Sequence, residues 1–117
     1  MTGRLTTHVL DTARGQPGAG MAVELYSLLP ERRLLKTIVT NRDGRCDAPL
    51  LEGEAFAPGV YELVFKAGTY FRRADVAVSD PAFLEEIPVR FCVARPDQHY
   101  HVPLLVSPHS YVTYRGS

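Results

Sequence analysis

Four histidines stand at His8, His99, His101 and His109, and three of them adjoin residues that favour extended backbone. His8 lies between Thr7 and Val9 in "LTTHVLD", and His99 and His101 frame Tyr100 in "HYHVPLLVS". Residues two apart on a strand project to one face, so His99 and His101 share a face if that strand starts early enough. An imidazole titrates near neutrality and can take or give a proton at physiological pH. Two chemistries follow. Ring nitrogens of His8, His99 and His101 could hold a metal. Against this, Asp97 is the only Asp, Glu or Cys within two residues of the 99–101 stretch, and the spacing matches no standard zinc pattern. The favoured reading is metal-free acid–base work, with imidazoles activating a water and shuttling its proton. It needs no metal and no cofactor.

Such a site must also hold and polarise its substrate. Arg45, just past Asp43-Gly44, offers planar donors that match carbonyl or carboxylate edges, although an exposed cation at a turn is the plainer role for it. The sequence closes on "SYVTYRGS". Chain ends are usually polar and dispensable, whereas here a strand-like run reaches the last residue. That predicts that Tyr114, Arg115, Gly116 and Ser117 line a site, and that a tail beyond Ser117 would occupy the same space. A serine nucleophile would need a base aimed at its hydroxyl and a third group to orient the base. No GxSxG motif occurs, so water is the expected nucleophile.

The elements that must position these residues read as strands. "LTTHVLD" (5–11), "MAVELYSLL" (21–29), "LLKTIVT" (34–40), "VYELVFKA" (60–67), "IPVRFCV" (87–93), "HVPLLVS" (101–107) and "SYVTYR" (110–115) are short, β-rich and separated by turn residues. An eighth short strand is expected near 45–50, and "NRDGR" (41–45) reads as a hairpin turn with Gly44 at positive φ. The clearest alternation puts Tyr61, Leu63 and Phe65 on one face and Glu62 and Lys66 on the other. One short helix is expected, with "SDPAFLEE" (79–86) slightly ahead of "GTYFRRADV" (68–76) on capping and propensity. The fold class is all-β, a sandwich or barrel with at most one short helix, and the 117 residues read as one domain.

Composition narrows the function. Thirteen basic and thirteen acidic residues cancel, which argues against nucleic acid or an anionic membrane as partner. Cys46 and Cys92 are too few for a disulfide scaffold and lie in no metal-ligand spacing. No stretch has the length of a signal peptide or a membrane span, so a cytoplasmic setting is expected.

Three stretches, "LTTHVLD", "TNRDGR" and "HYHVPLLVSPHSYVTYRGS", closely resemble the hydrolase branch of the transthyretin-related family, the 5-hydroxyisourate hydrolases, over essentially the whole chain. The terminal Tyr-Arg-Gly-Ser is the signature that separates that branch from the carriers of the same fold. The resemblance implies a transthyretin-like two-sheet sandwich of seven to eight strands, with the helix at 69–75 rather than 79–86. It implies a homotetramer with sites in a central channel, and hydrolytic opening of a ring amide of 5-hydroxyisourate in urate degradation. By that resemblance His8, Arg45, His101 and Ser117 are catalytic, Tyr114, Arg115 and Gly116 bind substrate, and His99 supports them. A transthyretin-like carrier without catalysis and a generic immunoglobulin-like interaction domain are the rival readings. The carrier would have no use for two histidines and Arg45 in its channel.

Overall fold

Alternation of apolar and polar residues sets the layers. In the computed structural model, which describes residues 3–117, the described residues form nine strands. These are β1 (Arg4–Asp11), β2 (Gln16–Pro17), β3 (Ala22–Ser27), β4 (Arg33–Val39), β5 (Leu51–Glu52), β6 (Gly59–Phe65), β7 (Ile87–Val93), β8 (Tyr100–Ser107) and β9 (Ser110–Thr113). One sheet runs β2-β1-β8-β9 with β5 also on β1, and the other runs β4-β3-β6-β7. Leu5 and Val9 of β1, Leu104 and Val106 of β8, Val23 and Leu25 of β3, and Leu63 and Phe65 of β6 are all buried between the sheets. Each such side chain contributes roughly 1.5–3 kcal/mol by leaving water.

The seven long strands appear where alternation predicts them. The expected eighth forms later than 45–50, as β5 at Leu51–Glu52, and β2 was not anticipated. The turn at 41–45 is real but makes no hairpin between paired strands. It closes on itself, with Asn41 N–H donating to the Arg45 carbonyl at 2.8 Å, and then docks on β1. The helix, α1, spans Ala67–Arg73, close to the position implied by resemblance. Residues 79–86 form turns instead, because Glu85 is drawn back onto α1. Its carboxylate accepts from both Arg72 terminal nitrogens at 3.0 and 2.6 Å and from Ala82 N–H at 2.8 Å. Those bonds hold its pKa at about 2.

β1 pairs in parallel with β8 from Leu5↔Tyr100 to Asp11↔Val106. Its inward row is Leu5, Thr7, Val9 and Asp11, all buried, and its outward row is Arg4, Thr6, His8 and Leu10. The inward polar groups are matched. Thr7 donates to the Val102 carbonyl at 2.7 Å. Asp11 accepts from Tyr70 of α1 at 2.6 Å and from Arg14 Nε at 2.9 Å. Burial pushes the Asp11 carboxyl up, but these bonds outweigh it and leave the group below its ordinary value.

The 41–45 turn reaches β1 through glycine. Val9 N–H donates to the Gly44 carbonyl at 2.8 Å, and a Cβ on Gly44, whose φ is +75°, would lie 2.3 Å from the Val9 carbonyl oxygen. The variant Gly44→Ala is therefore expected to lose stability by about 1–3 kcal/mol, from positive φ and close backbone approach together. Urea unfolding followed by circular dichroism measures it, and an unchanged midpoint would show that the turn relaxes freely.

Candidate active site

The outward face of β1 and β8 carries the chemistry. Parallel register sets Thr6 beside His101 and His8 beside Pro103. On the far side of β1, Arg45 bridges to His8, and beyond β8, Gly116 bridges to His101. Two rows result, Arg45–His8–Pro103 and Thr6–His101–Gly116. A cleft of about 300 Å³ opens there, lined by Arg4, Thr6, Arg45, His99, His101 and Ser117. None of these lining side chains is acidic, and two are guanidinium cations, so the cleft suits a planar ligand rich in acceptor oxygens.

Local chemistry explains each placement. Asn41 Oδ1 accepts from the backbone N–H of Asp43 at 2.9 Å and of Arg45 at 3.1 Å, which shapes the turn that delivers Arg45. His8 Nε2 lies 2.9 Å from the Asp43 carbonyl. A carbonyl only accepts, so Nε2 carries the hydrogen and Nδ1 is the free nitrogen of neutral His8. His101 Nδ1 lies 2.8 Å from the Thr6 hydroxyl. Gly116 N–H donates to the His101 carbonyl at 2.7 Å. A Cβ on Gly116 would sit 2.6 Å from His101 Cδ2, so the bare backbone at this position lets the imidazole lie flat against it.

The electrostatics favour neutral imidazoles. Burial, then the nearby Arg45 charge, hold His8 below the ordinary value of 6.5, against a weaker upward pull from Asp43. Burial, Arg45 and His8, in that order, hold His101 below it as well. Both rings therefore stand ready to accept a proton at neutral pH.

The predicted residues fall in three places. Arg45, His101 and Ser117 line the cleft, as does His99 although β8 begins only at Tyr100, and His8 and Gly116 adjoin it through their bridges to Arg45 and His101. Tyr114 and Arg115 lie elsewhere, along a more apolar groove of about 360 Å³ with Val89, Phe91 and Tyr100. The Arg115 guanidinium stacks 3.9 Å over the Tyr100 ring and donates to the His99 carbonyl at 2.9 Å, so it fixes the backbone that presents His99. His109 stands apart in the β8–β9 turn, its ring 5.9 Å from that of Phe83. Arg4 and Thr6 were missed. They precede His8 by four and two residues, so strand periodicity alone places them on its face.

A model of the HIUase/Transthyretin family matches residues 5–116. The chain is 61% identical over 117 residues to 5-hydroxyisourate hydrolase 2 of Rhizobium meliloti, covering 99% of this chain and 98% of that one. Among solved structures it superposes on (S)-allantoin synthase with a TM-score of 0.95 at 48% identity, covering 99% of this chain but spanning only 44% of that longer one. Sea bream transthyretin in complex with thyroxine aligns with a TM-score of 0.85 at 27% identity, over 97% of this chain and 94% of that one.

The role of Arg45 in keeping both imidazoles neutral is open to direct measurement. Replacing it as Arg45→Gln removes a positive charge, so protonation of His8 and His101 becomes easier and both titrations move up towards 6.5. Imidazole proton resonances followed against pH read this out. Unmoved titration curves would show that burial alone sets the two values.

Proposed function

The chain belongs to the HIUase/Transthyretin family, and we propose that it is an enzyme of urate degradation that hydrolyses 5-hydroxyisourate to 2-oxo-4-hydroxy-4-carboxy-5-ureidoimidazoline. The observation that carries this reading is the cleft on β1 and β8, where His101 meets Arg45 and Ser117 while His8 stands beside it on its bridge to Arg45, both imidazoles having lowered proton affinity. The full-length identity to a protein named for this activity supports it.

The chemistry follows from the groups present. A water held beside His101 gives its proton to the imidazole as its oxygen attacks the ring carbonyl, and His8 assists through Nδ1. The carbonyl π pair moves onto oxygen, where Arg45 meets the developing negative charge with preorganised donors. The tetrahedral carbon then expels the ring nitrogen, which takes the proton from His101 as it leaves. Water is added across one C–N bond, giving a carboxyl group and an N–H. Ser117 orients water or substrate, and His99 and Gly116 complete the binding surface. Tyr114 and Arg115 shape the end of the chain that carries Ser117.

The same reading includes assembly. β7 and β9 end their sheets with one side unpaired within the chain, and such edges invite further strands. A homotetramer built by two-fold symmetry around a shared channel would cover them. The rival, a carrier that binds without turnover, has the transthyretin likeness behind it, but leaves two imidazoles with a free nitrogen each, and the Arg45 cation beside them, without a task.

The test is to generate 5-hydroxyisourate from urate with urate oxidase and follow its ultraviolet absorbance with and without the protein and a chelator. Decay far faster than the spontaneous one, insensitive to chelator, is expected. His101→Ala should lower turnover by about 10²–10⁴, the ordinary worth of a general base. No acceleration by folded wild type would return the chain to the carrier reading. A loss below tenfold in His101→Ala would remove that residue from the role of base.

A further inference from the structure

Thr6 is the one side chain bonded to His101 among the described residues, and nothing in the proposed reaction has yet used it. Its hydroxyl lies 2.8 Å from Nδ1. The contact is built into the sheet, because Thr6 and His101 are register partners in the β1–β8 ladder although 95 positions separate them in the chain. Both side chains line the cleft, and both are half-buried. The Thr6 hydroxyl has no other protein partner among the described residues, so His101 is its only claim apart from solvent.

We propose that Thr6 is a positioning residue for the hydrolysis, accepting a hydrogen bond from His101 Nδ1–H so that Nε2 presents its lone pair to the attacking water. The inference rests on the reading of the cleft as a hydrolase site. During turnover His101 alternates between two forms, the neutral ring with hydrogen on Nδ1 and the imidazolium with hydrogen on both nitrogens. Nδ1–H is present in both, so a single acceptor holds the ring in one orientation through attack and through expulsion of the ring nitrogen. The hydrogen bond to the other nitrogen helps set which tautomer a histidine adopts; a threonine hydroxyl can donate or accept, and as acceptor here it leaves the Nε2 lone pair free.

The choice of a hydroxyl follows from the charges around it. Arg4, Arg45, His99 and Ser117 line the cleft with His101, and burial, then Arg45 and His8, disfavour its protonation. A carboxylate at position 6 would orient the ring equally well but would favour the imidazolium before water arrives. A neutral acceptor orients the base and leaves it unprotonated. His8 contrasts with this arrangement: its Nε2 faces the Asp43 carbonyl, which fixes the opposite tautomer with Nδ1 free. The two imidazoles thus keep different nitrogens free, each set by its own backbone or side-chain acceptor.

The experiment compares wild type, Thr6→Val, which keeps the shape and removes the hydroxyl, and Thr6→Ser, which restores it. Thr6→Ala replaces the valine variant should that one fail to fold. Nitrogen-15 spectra of the imidazoles, taken without substrate, are expected to show His101 protonated on Nδ1 in wild type and Thr6→Ser, and on Nε2 in Thr6→Val. With freshly generated 5-hydroxyisourate, Thr6→Val should lose roughly tenfold to a hundredfold in kcat with KM within about twofold, and Thr6→Ser should recover most of it. That loss is smaller than the about 10²–10⁴ expected for removing the base itself. An unchanged tautomer in Thr6→Val, or an unchanged kcat, overturns the proposal. A KM effect alone overturns it too, because it would make Thr6 a contact for substrate. Should wild type leave 5-hydroxyisourate untouched, the reading of the reaction fails, and the tautomer measurement alone decides what Thr6 does to His101.

Discussion

The parallel pairing of β1 with β8 is the constraint on which the rest of the molecule depends. It joins residues about ninety-five positions apart in the chain, from Leu5↔Tyr100 to Asp11↔Val106. Closing so long a loop costs conformational entropy before any contact forms, so the ladder must be secured along its length. It is secured on the inward side by Leu5, Val9, Leu104 and Val106, each fully buried. Thr7 adds a side-chain bond across the same pair of strands, to the Val102 carbonyl at 2.7 Å. The end of β1 is tied to α1 through Asp11 and Tyr70 at 2.6 Å. A slip of one residue would turn His8 and His101 into the core and the leucines outward. Register is therefore what assembles the cleft, and the apolar core is what fixes register.

Three backbone segments then close on that ladder without being strands of it. The 41–45 turn enters from one side through Gly44 and sets Arg45 against His8. The 116–117 segment enters from the other side through Gly116 and lays its backbone on the His101 ring. The 98–99 segment is held by Arg115. Both glycines serve close approach, and in each case the atom approached belongs to β1 or β8. The cleft is thus a rigid sheet face rimmed by turns, an arrangement that places side chains more closely than loops alone can do.

Much of this was legible in the sequence, for reasons that also mark where legibility stops. Alternation located β1, β3, β7 and β8 because alternate residues of each are buried against the other sheet, whereas β4 and β9 hold no buried residue and were legible only from β-rich composition between turns. His8, Arg45, His101 and Ser117 follow from residue type and resemblance, but the β1–β8 register that sets Thr6 beside His101 and the bridges that bring Arg45 to His8 and Gly116 to His101 are encoded by no local pattern. The helix was misjudged on propensity because Arg72 draws Glu85 into a bidentate pair and the 79–86 segment is spent on wrapping α1. The placement of Tyr114 and Arg115 could not be read from alternation, since β9 ends at Thr113 and the chain leaves the ladder before Gly116 rejoins it. Arg115 then follows Tyr100, whose side chain points to the opposite face from that of His101. Thr6 was within reach of the period-two pattern but carries no unusual residue type, and only its distance to Nδ1 gives it a role.

Period-two structure also separates what stabilises the protein from what it does. Along β1 the residues at 5, 7, 9 and 11 hold the sandwich together, while those at 4, 6, 8 and 10 face outward, Arg4 and Thr6 into the cleft. Along β8, Val102, Leu104 and Val106 belong to the core, and His101 and Pro103 pair with the outward row of β1. A change in the outward row leaves the buried one intact, so the face can be rewritten while the fold persists. Sea bream transthyretin shares the fold, with a TM-score of 0.85, at only 27% identity. One set of alternate positions is free to carry imidazoles and guanidinium groups because the other set already carries the energy of folding.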